Sequence, residues 1–110
     1  MTLPLHGLRI LDLTRLLPGP YATRQLAELG AEVIKVEAPQ GGDYARWYPP
    51  LCGEPPASGI FRELNRGKKS ITLDLRTPDG IEVLHHLAGT VDVLVDSFRP
   101  GVLRRLGFDP

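Results

Sequence analysis

The chain has 110 residues and a mass of 12.1 kDa, enough for one domain with one modest core. Thirteen lysines and arginines balance 13 aspartates and glutamates, and this zero net charge excludes a polycation built for nucleic acid. The 42% hydrophobic content excludes a disordered chain. Residues 1–8 lack signal-peptide features, and Cys52 is the single cysteine, so we expect a cytoplasmic protein. No apolar run approaches the ~20 residues of a membrane helix, so we expect no contact with a membrane.

Residues 8–37 predict a strand, a helix and a second strand. Leu8–Leu13 is a short apolar run, as in a buried strand. Tyr21–Leu29 has apolar residues at helical spacing, and Gly30 suits a left-handed helix cap. Residues 33–36 predict the second strand, which ends at Glu37, and we expect Glu37 to be solvated.

Residues 38–65 form a long connection rich in proline and glycine, and no hydrophobic period persists across them. Connections of this length inside a domain are functional, mobile, or contain a short helix. The apolar residues of Ser58–Leu64 predict such a helix.

A second strand–helix–strand unit follows. Ser70–Leu75 alternates apolar and polar residues, as in a strand with one wetter face. Thr77-Pro78 predicts a helix start, Gly89 its end, and Val91–Val95 another strand, before a short helix within Pro100–Leu106. The predicted fold class is α/β: a Rossmann-like, open, largely parallel sheet with flanking helices.

Ligands of open parallel sheets bind at the carboxyl ends of the strands, here in loops 14–21, 37–46 and 96–101 and in the turn after Leu75. Dinucleotide binding is disfavoured, because the first loop has one glycine and two prolines where that motif needs three glycines. Residues 65–70 resemble the phosphate-binding loop of nucleotide hydrolases only superficially, since they precede a strand instead of a helix.

Basic residues concentrate in the second half of the chain, where eight of the 13 lie between Arg62 and Arg105. This concentration fits either a solvated surface or a site for a polyanionic small molecule, because arginine pairs with phosphate through two hydrogen bonds. We expect no metal, since His85 and His86 diverge by about 100° on a helix and no metal-binding spacing occurs elsewhere.

Several blocks together resemble the opening of the family III CoA-transferases, which include formyl-CoA and carnitine CoA-transferases and α-methylacyl-CoA racemases. The resemblance covers nearly all of residues 1–110, and no single block carries it alone. The blocks are Leu8–Arg15, Pro18–Ala22, Leu29–Glu37, Gly41–Asp43, Asn65–Leu75 and Phe98–Gly101.

The resemblance implies a coenzyme A (CoA) thioester as ligand. It implies that Arg76, Arg99 and Arg105 meet phosphates and that Leu73 and Phe98 flank adenine. Family members often carry arginine where this chain has Ala38, and we expect Arg46 to substitute for it. The implied CoA-binding positions are Leu16, Leu17, Leu73, Arg76, Ser97, Phe98, Arg99 and Arg105.

The resemblance also implies the reaction, in which CoA moves between an acyl-CoA thioester and a carboxylic acid. The aspartate that attacks the thioester in the transferases lies beyond position 110, as do the histidine and aspartate of the racemases. We therefore expect no catalytic residue here, and interpret residues 1–110 as the N-terminal CoA-binding portion of a longer, interlocked homodimer. The alternatives are a racemase-type fragment, a noncatalytic oligomerising fragment and an unrelated nucleotide-binding protein.

Overall fold

The computed structural model describes residues 2–108, and within them strands and helices alternate along most of the chain. The elements are β1 (Arg9–Leu13), α1 (Pro18–Glu28), β2 (Glu32–Glu37), a 3-10 helix (Tyr44–Trp47), β3 (Leu51–Cys52), β4 (Ala57–Ser58), α2 (Gly59–Leu64), β5 (Lys69–Thr72), α3 (Pro78–Ala88), β6 (Val93–Asp96) and α4 (Val102–Arg105).

Four strands form one parallel sheet in the order β5-β2-β1-β6, with β1 and β2 at its centre. The register places Ile10 of β1 beside Val33 of β2 and Val93 of β6. The predicted α/β class with an open, parallel sheet and flanking helices is therefore confirmed. β3 and β4 form a separate antiparallel pair within the 38–65 connection.

The sheet buries apolar side chains on both faces, because alternate residues of a strand point to opposite sides. Leu11 and Leu13 pack on one side with Leu84 of α3. Ile10 and Val33 pack on the other side, the α1 side, in a second cluster. The two clusters fix the sheet between α1 and α3, so that the loops after its strands meet at one edge.

Local sequence signals set three of the helix ends as predicted. Gly30 follows α1 with φ of 109°, a conformation that glycine adopts without strain. The hydroxyl of Thr77 accepts a hydrogen bond from the Gly80 N–H at 3.0 Å and so caps α3, which starts at Pro78. The Ser58 hydroxyl caps the predicted helix α2 in the same way, accepting from the Phe61 N–H.

Several parts of the chain differ from the prediction. Helix α1 begins at Pro18, before the predicted Tyr21–Leu29, and β6 begins at Val93 and not at Val91. The third strand of the sheet in chain order, β5, ends at Thr72 and not at Leu75, because its neighbour β2 ends at Glu37, the residue that pairs with Thr72. The 3-10 helix and the β3–β4 pair occupy a connection in which we predicted only α2.

The longest helices, α1 and α3, have 11 residues each. In the part of the chain that the structure describes, no helix has the length and apolar character needed to cross a bilayer.

Candidate functional site

A cleft of about 370 Å³ lies at the carboxyl edge of the sheet, between the loops that follow β1, β2, β5 and β6. Its volume is within the range of small-molecule sites. Apolar side chains form much of its wall, namely Leu73, Leu75, Phe98, Val102 and Leu106. Arg15 and Arg76 also line the cleft, together with the carboxylates of Glu37, Asp43 and Asp74, so that apolar side chains share the wall with groups of both charges.

The structure brings three of the implied CoA-binding residues, Leu73, Arg76 and Phe98, into the wall of this cleft. Arg99 lies instead in a shallow groove on the other side of Phe98, beside Pro100. The remaining four are exposed outside the lining of the cleft, namely Leu16, Leu17, Ser97 and Arg105. The eight residues therefore surround one end of the sheet without sharing one cavity.

Arg76 is oriented by its neighbours, although 70% of its side chain is exposed. Its Nε donates to Asp74 Oδ1 at 3.2 Å, and a terminal nitrogen donates to the Gln40 side chain at 3.2 Å. The Arg76 backbone N–H and then its guanidinium stabilise the charged carboxylate, which lowers the pKa of Asp74. These contacts join the loop after β2 to the turn after β5.

Arg15 is a cleft residue that the sequence reasoning missed. Its guanidinium carbon lies 5.4 Å from the ring centre of Tyr44 and 5.2 Å from that of Phe98, both within cation–π range. Arg15 follows the buried Thr14, one residue after the end of β1, at the edge where ligands of parallel sheets bind. That position was the signal from which the sequence could have identified Arg15 as a cleft residue.

Beneath the cleft, Glu37 is buried in a set of hydrogen bonds and is not the solvated strand end that we predicted. Its two carboxylate oxygens accept from Arg46 at 2.7 Å each, and it also accepts from the Ser70 hydroxyl and the Asp43 N–H. Burial opposes its ionisation, but the hydrogen bonds from Arg46, Asp43 and Ser70 outweigh burial and lower the pKa of Glu37 to about 2.

Arg46 is therefore paired with Glu37, and its role as a substitute for the family's arginine stays a prediction. The hydrogen bond to Glu37 raises the pKa of Arg46. Its guanidinium carbon also stacks 4.0 Å from the ring centre of Phe61 in α2. Arg46 thus ties the 38–65 connection to the end of β2.

The side chain of Lys68 is buried, so its ammonium group is not part of an accessible basic surface. Its Nζ lies 3.1 Å from Asp12 Oδ2, and the two side chains are 2% and 0% exposed. Burial lowers the pKa of Lys68, and the Asp12 carboxylate counteracts that effect. A third buried pair lies beside it, in which Lys35 Nζ is 2.8 Å from Asp43 Oδ2.

Among residues 2–108 no three histidine, cysteine, aspartate or glutamate side chains are grouped so as to hold a metal ion. The buried carboxylates of the site form ion pairs with lysine and arginine side chains instead.

The fold and the site define an α/β protein with an open parallel sheet and a ligand-sized cleft at its carboxyl edge. The profile of CoA-transferase family III matches residues 5–110, so the chain belongs to that family. A CaiB/BaiF family protein from Brucella suis has the same fold, with a TM-score of 0.90 and 41% identity over 100% of this chain and 30% of its own.

Two relatives of this chain are named as CoA-transferases. The human succinyl-CoA:glutarate CoA-transferase is 48% identical over 94% of this chain and 24% of its own length. The formyl-CoA:oxalate CoA-transferase of Rhodopseudomonas palustris is 50% identical over 98% of this chain and 25% of its own length. The chain therefore spans about a quarter of the length of these relatives.

Proposed function

We propose that this chain is the N-terminal CoA-binding portion of a family III CoA-transferase, which moves CoA between an acyl-CoA thioester and a carboxylic acid. The observation that carries the proposal is the cleft at the carboxyl edge, whose wall combines Leu73 and Phe98 with Arg15 and Arg76. Family membership supports the same ligand class. Both relatives named above are transferases, which favours a transferase over a racemase.

In the proposed complex, the adenine of CoA lies between Leu73 and Phe98, because a flat, apolar base suits an aliphatic and aromatic pocket. Its phosphates bind Arg76, Arg99 and Arg105. All three arginines are exposed on the carboxyl-edge loops or on α4, and they make charge-assisted hydrogen bonds available. The remaining implied residues, Leu16, Leu17 and Ser97, border the rest of the ligand.

We further propose that the 110-residue chain binds CoA without turning it over, since the resemblance places the attacking aspartate outside these positions. The whole protein is proposed to act in the cytoplasm as a homodimer, with an acyl-CoA and a carboxylic acid as substrates. Large exposed apolar side chains outside the cleft support a partner surface, among them Trp47 at 65%, Leu51 at 49% and Tyr48 at 47%.

Calorimetric titration of the purified chain with CoA at two salt concentrations tests the binding proposal. We expect saturable binding that weakens at higher salt, because phosphate contacts are screened. Arg76→Ala and Arg99→Ala each raise Kd by about tenfold or more, in line with the ~1.5–3 kcal/mol of a hydrogen bond to a charged group.

Arg9→Ala is the matched control, because Arg9 is an arginine at the amino-terminal end of β1, away from the cleft, and we expect an unchanged Kd. Pantetheine, which lacks the nucleotide, and NAD serve as competitors that bind far more weakly than CoA. A folded chain that gives no heat with CoA contradicts the proposal. Preference for NAD over CoA favours an unrelated nucleotide-binding protein instead.

A further inference from the structure

Asp43 connects two loops that border the proposed CoA site. Its Oδ1 accepts a hydrogen bond from the backbone N–H of Leu16 at 3.0 Å and another from that of Ala45 at 2.9 Å. Leu16 lies in the loop after β1, whereas Asp43 and Ala45 follow β2. The carboxylate is only 2% exposed, so water does not replace these bonds easily.

Leu16 adopts a backbone conformation that residues other than glycine rarely adopt. Its φ is 69°, and among residues 2–108 it is the one non-glycine residue with positive φ. Such a conformation is unfavourable for an L-residue and persists only where the surroundings hold it. The bond from its own N–H to Asp43 supplies that restraint.

Lys35 restrains the same two loops from the centre of the sheet. Its Nζ lies 2.8 Å from Asp43 Oδ2 and donates to the backbone carbonyl of Thr14 at 2.9 Å. Lys35 is 1% exposed and belongs to β2, one of the two central strands. A single ammonium group therefore fixes both the carboxylate and the chain two residues before Leu16.

We propose that Asp43 is a positioning residue for CoA binding, which acts by holding Leu16 in its left-handed conformation and so presents Leu16 and Leu17 to the ligand. This inference rests on the proposed function. A purely structural role for the Lys35–Asp43 pair predicts a different result, namely a change in stability with no change in CoA affinity once the chain is folded.

The test compares two variants of the 110-residue chain from which the buried charge pair has been removed. Both carry Lys35→Met, so that neither leaves an unpaired buried ammonium group. Asp43→Asn in the first keeps an oxygen that accepts from the Leu16 N–H, and Asp43→Ala in the second removes it. Circular dichroism establishes that each variant is folded at the temperature of the titration.

We expect Lys35→Met/Asp43→Ala to raise the Kd for CoA about tenfold above that of Lys35→Met/Asp43→Asn. A tenfold rise follows if the left-handed turn is populated about a tenth of the time, since apparent Kd scales inversely with the competent fraction. The amide hydrogen of Leu16 also exchanges faster in the alanine variant. Adding Leu16→Gly to both variants reduces the difference in Kd to about threefold or less, because glycine adopts positive φ without restraint.

Asp92→Ala is the matched control for loss of a side-chain oxygen that accepts a backbone N–H, since Asp92 accepts from Arg9 N–H at 2.9 Å near the opposite edge of the sheet. It leaves Kd unchanged. If the unmodified chain binds no CoA, the proposed function is overturned together with this inference. If the unmodified chain binds and the folded alanine and asparagine variants bind equally well, only the positioning role of Asp43 is overturned.

Discussion

The substitution Glu37→Gln tests the buried ionic set beneath the cleft. The Glu37 side chain is 3% exposed and accepts two hydrogen bonds from Arg46, one from Ser70 and one from the Asp43 N–H. Glutamine has nearly the same shape but no charge, and its NH2 group donates where the carboxylate accepted. We expect a less stable folded state, with the loss dependent on pH.

The size of this loss follows from the pKa of Glu37. A pKa of about 2 instead of the ordinary 4.5 corresponds to about 3 kcal/mol of added stability at neutral pH, at 1.36 kcal/mol per pKa unit. Glu37 borders the open cleft and the Arg46 side chain is 39% exposed, so solvent screening reduces this contribution. We therefore expect about 1–2 kcal/mol at pH 7, which is about 10 °C in Tm for a chain of this length.

The pH dependence distinguishes this cause from a simple packing defect. The folded-state pKa of Glu37 is depressed, so its contribution is complete above about pH 4.5 and disappears as the pH falls towards about 2. The difference in Tm between the wild-type chain and Glu37→Gln, measured by circular dichroism at pH 7, 5, 4 and 3, falls by more than half over this series.

Glu63→Gln provides the matched control, because the Glu63 carboxylate also pairs with arginines, Arg24 and Arg66, but is 60% exposed. We expect its Tm to change by only a few degrees, since exposed ion pairs contribute about 0–1 kcal/mol. A Tm difference for Glu37→Gln that stays constant from pH 7 to pH 3 refutes the argument from the pKa. So does an effect no larger than that of the control.

Two further substitutions test the packing and the ion pair beside the site. In Gly80→Ala the new Cβ lies 1.8 Å from the Asp74 carbonyl oxygen. We therefore expect chemical denaturation to show a free energy of unfolding lower by roughly 1–3 kcal/mol. In the control Gly89→Ala the new Cβ has no contact under 3.5 Å, and the free energy of unfolding changes by less than about 0.5 kcal/mol. Lys68→Met leaves the Asp12 carboxylate buried without its cation and lowers the free energy of unfolding by about 3 kcal/mol. The double variant Asp12→Asn/Lys68→Met recovers at least part of this loss. A loss of lysine packing alone does not give that recovery.

Those elements whose signals are local were predictable from the sequence. The helix α3 begins where Thr77 supplies a capping hydroxyl and Pro78 a preset φ, and both features act within four residues of chain. Three strands of the parallel sheet were recognisable from apolar runs, and β5 was recognisable from the alternation of apolar and polar residues. Their ends were not, because the last pair of each ladder depends on the length of the neighbour, as when Glu37 sets the end of β5 at Thr72.

The cleft was predictable in part, and for the same physical reason. The carboxyl ends of parallel strands share one edge, so the loops carrying Leu73, Arg76 and Phe98 converge there once the strands form one parallel sheet. The family resemblance identified these three residues before the structure was known. Arg15 was identified only from the structure, in which aromatic rings from two other loops orient it. No spacing along the chain reports such a contact.

Two of the contacts that escaped prediction join partners that are distant in sequence, unlike the Glu37–Arg46 pair, whose members are nine positions apart. Asp12 and Lys68 are separated by 56 positions, and the Leu16 N–H and the Asp43 carboxylate that accepts its bond by 27. A charged residue within or at the end of an apolar strand indicates that some partner is required, since an unpaired buried charge is costly. It does not indicate which of the chain's 13 opposite charges meets it.

The placement of these pairs argues for a role in geometry more than in stability. Replacing a buried ion pair with apolar residues is often neutral or stabilising, so stability alone is a weak reason to keep the two fully buried pairs, Asp12–Lys68 and Lys35–Asp43. Each pair includes one residue in the second half of β1 or β2, and its partner lies in the loop after β2 or in the segment before β5. Apolar packing tolerates sliding, whereas charge-assisted hydrogen bonds fix distance and direction. A cleft assembled from separate loops gains its defined shape from these bonds, formed by Asp12 with Lys68, Lys35 with Asp43 and Glu37 with Arg46.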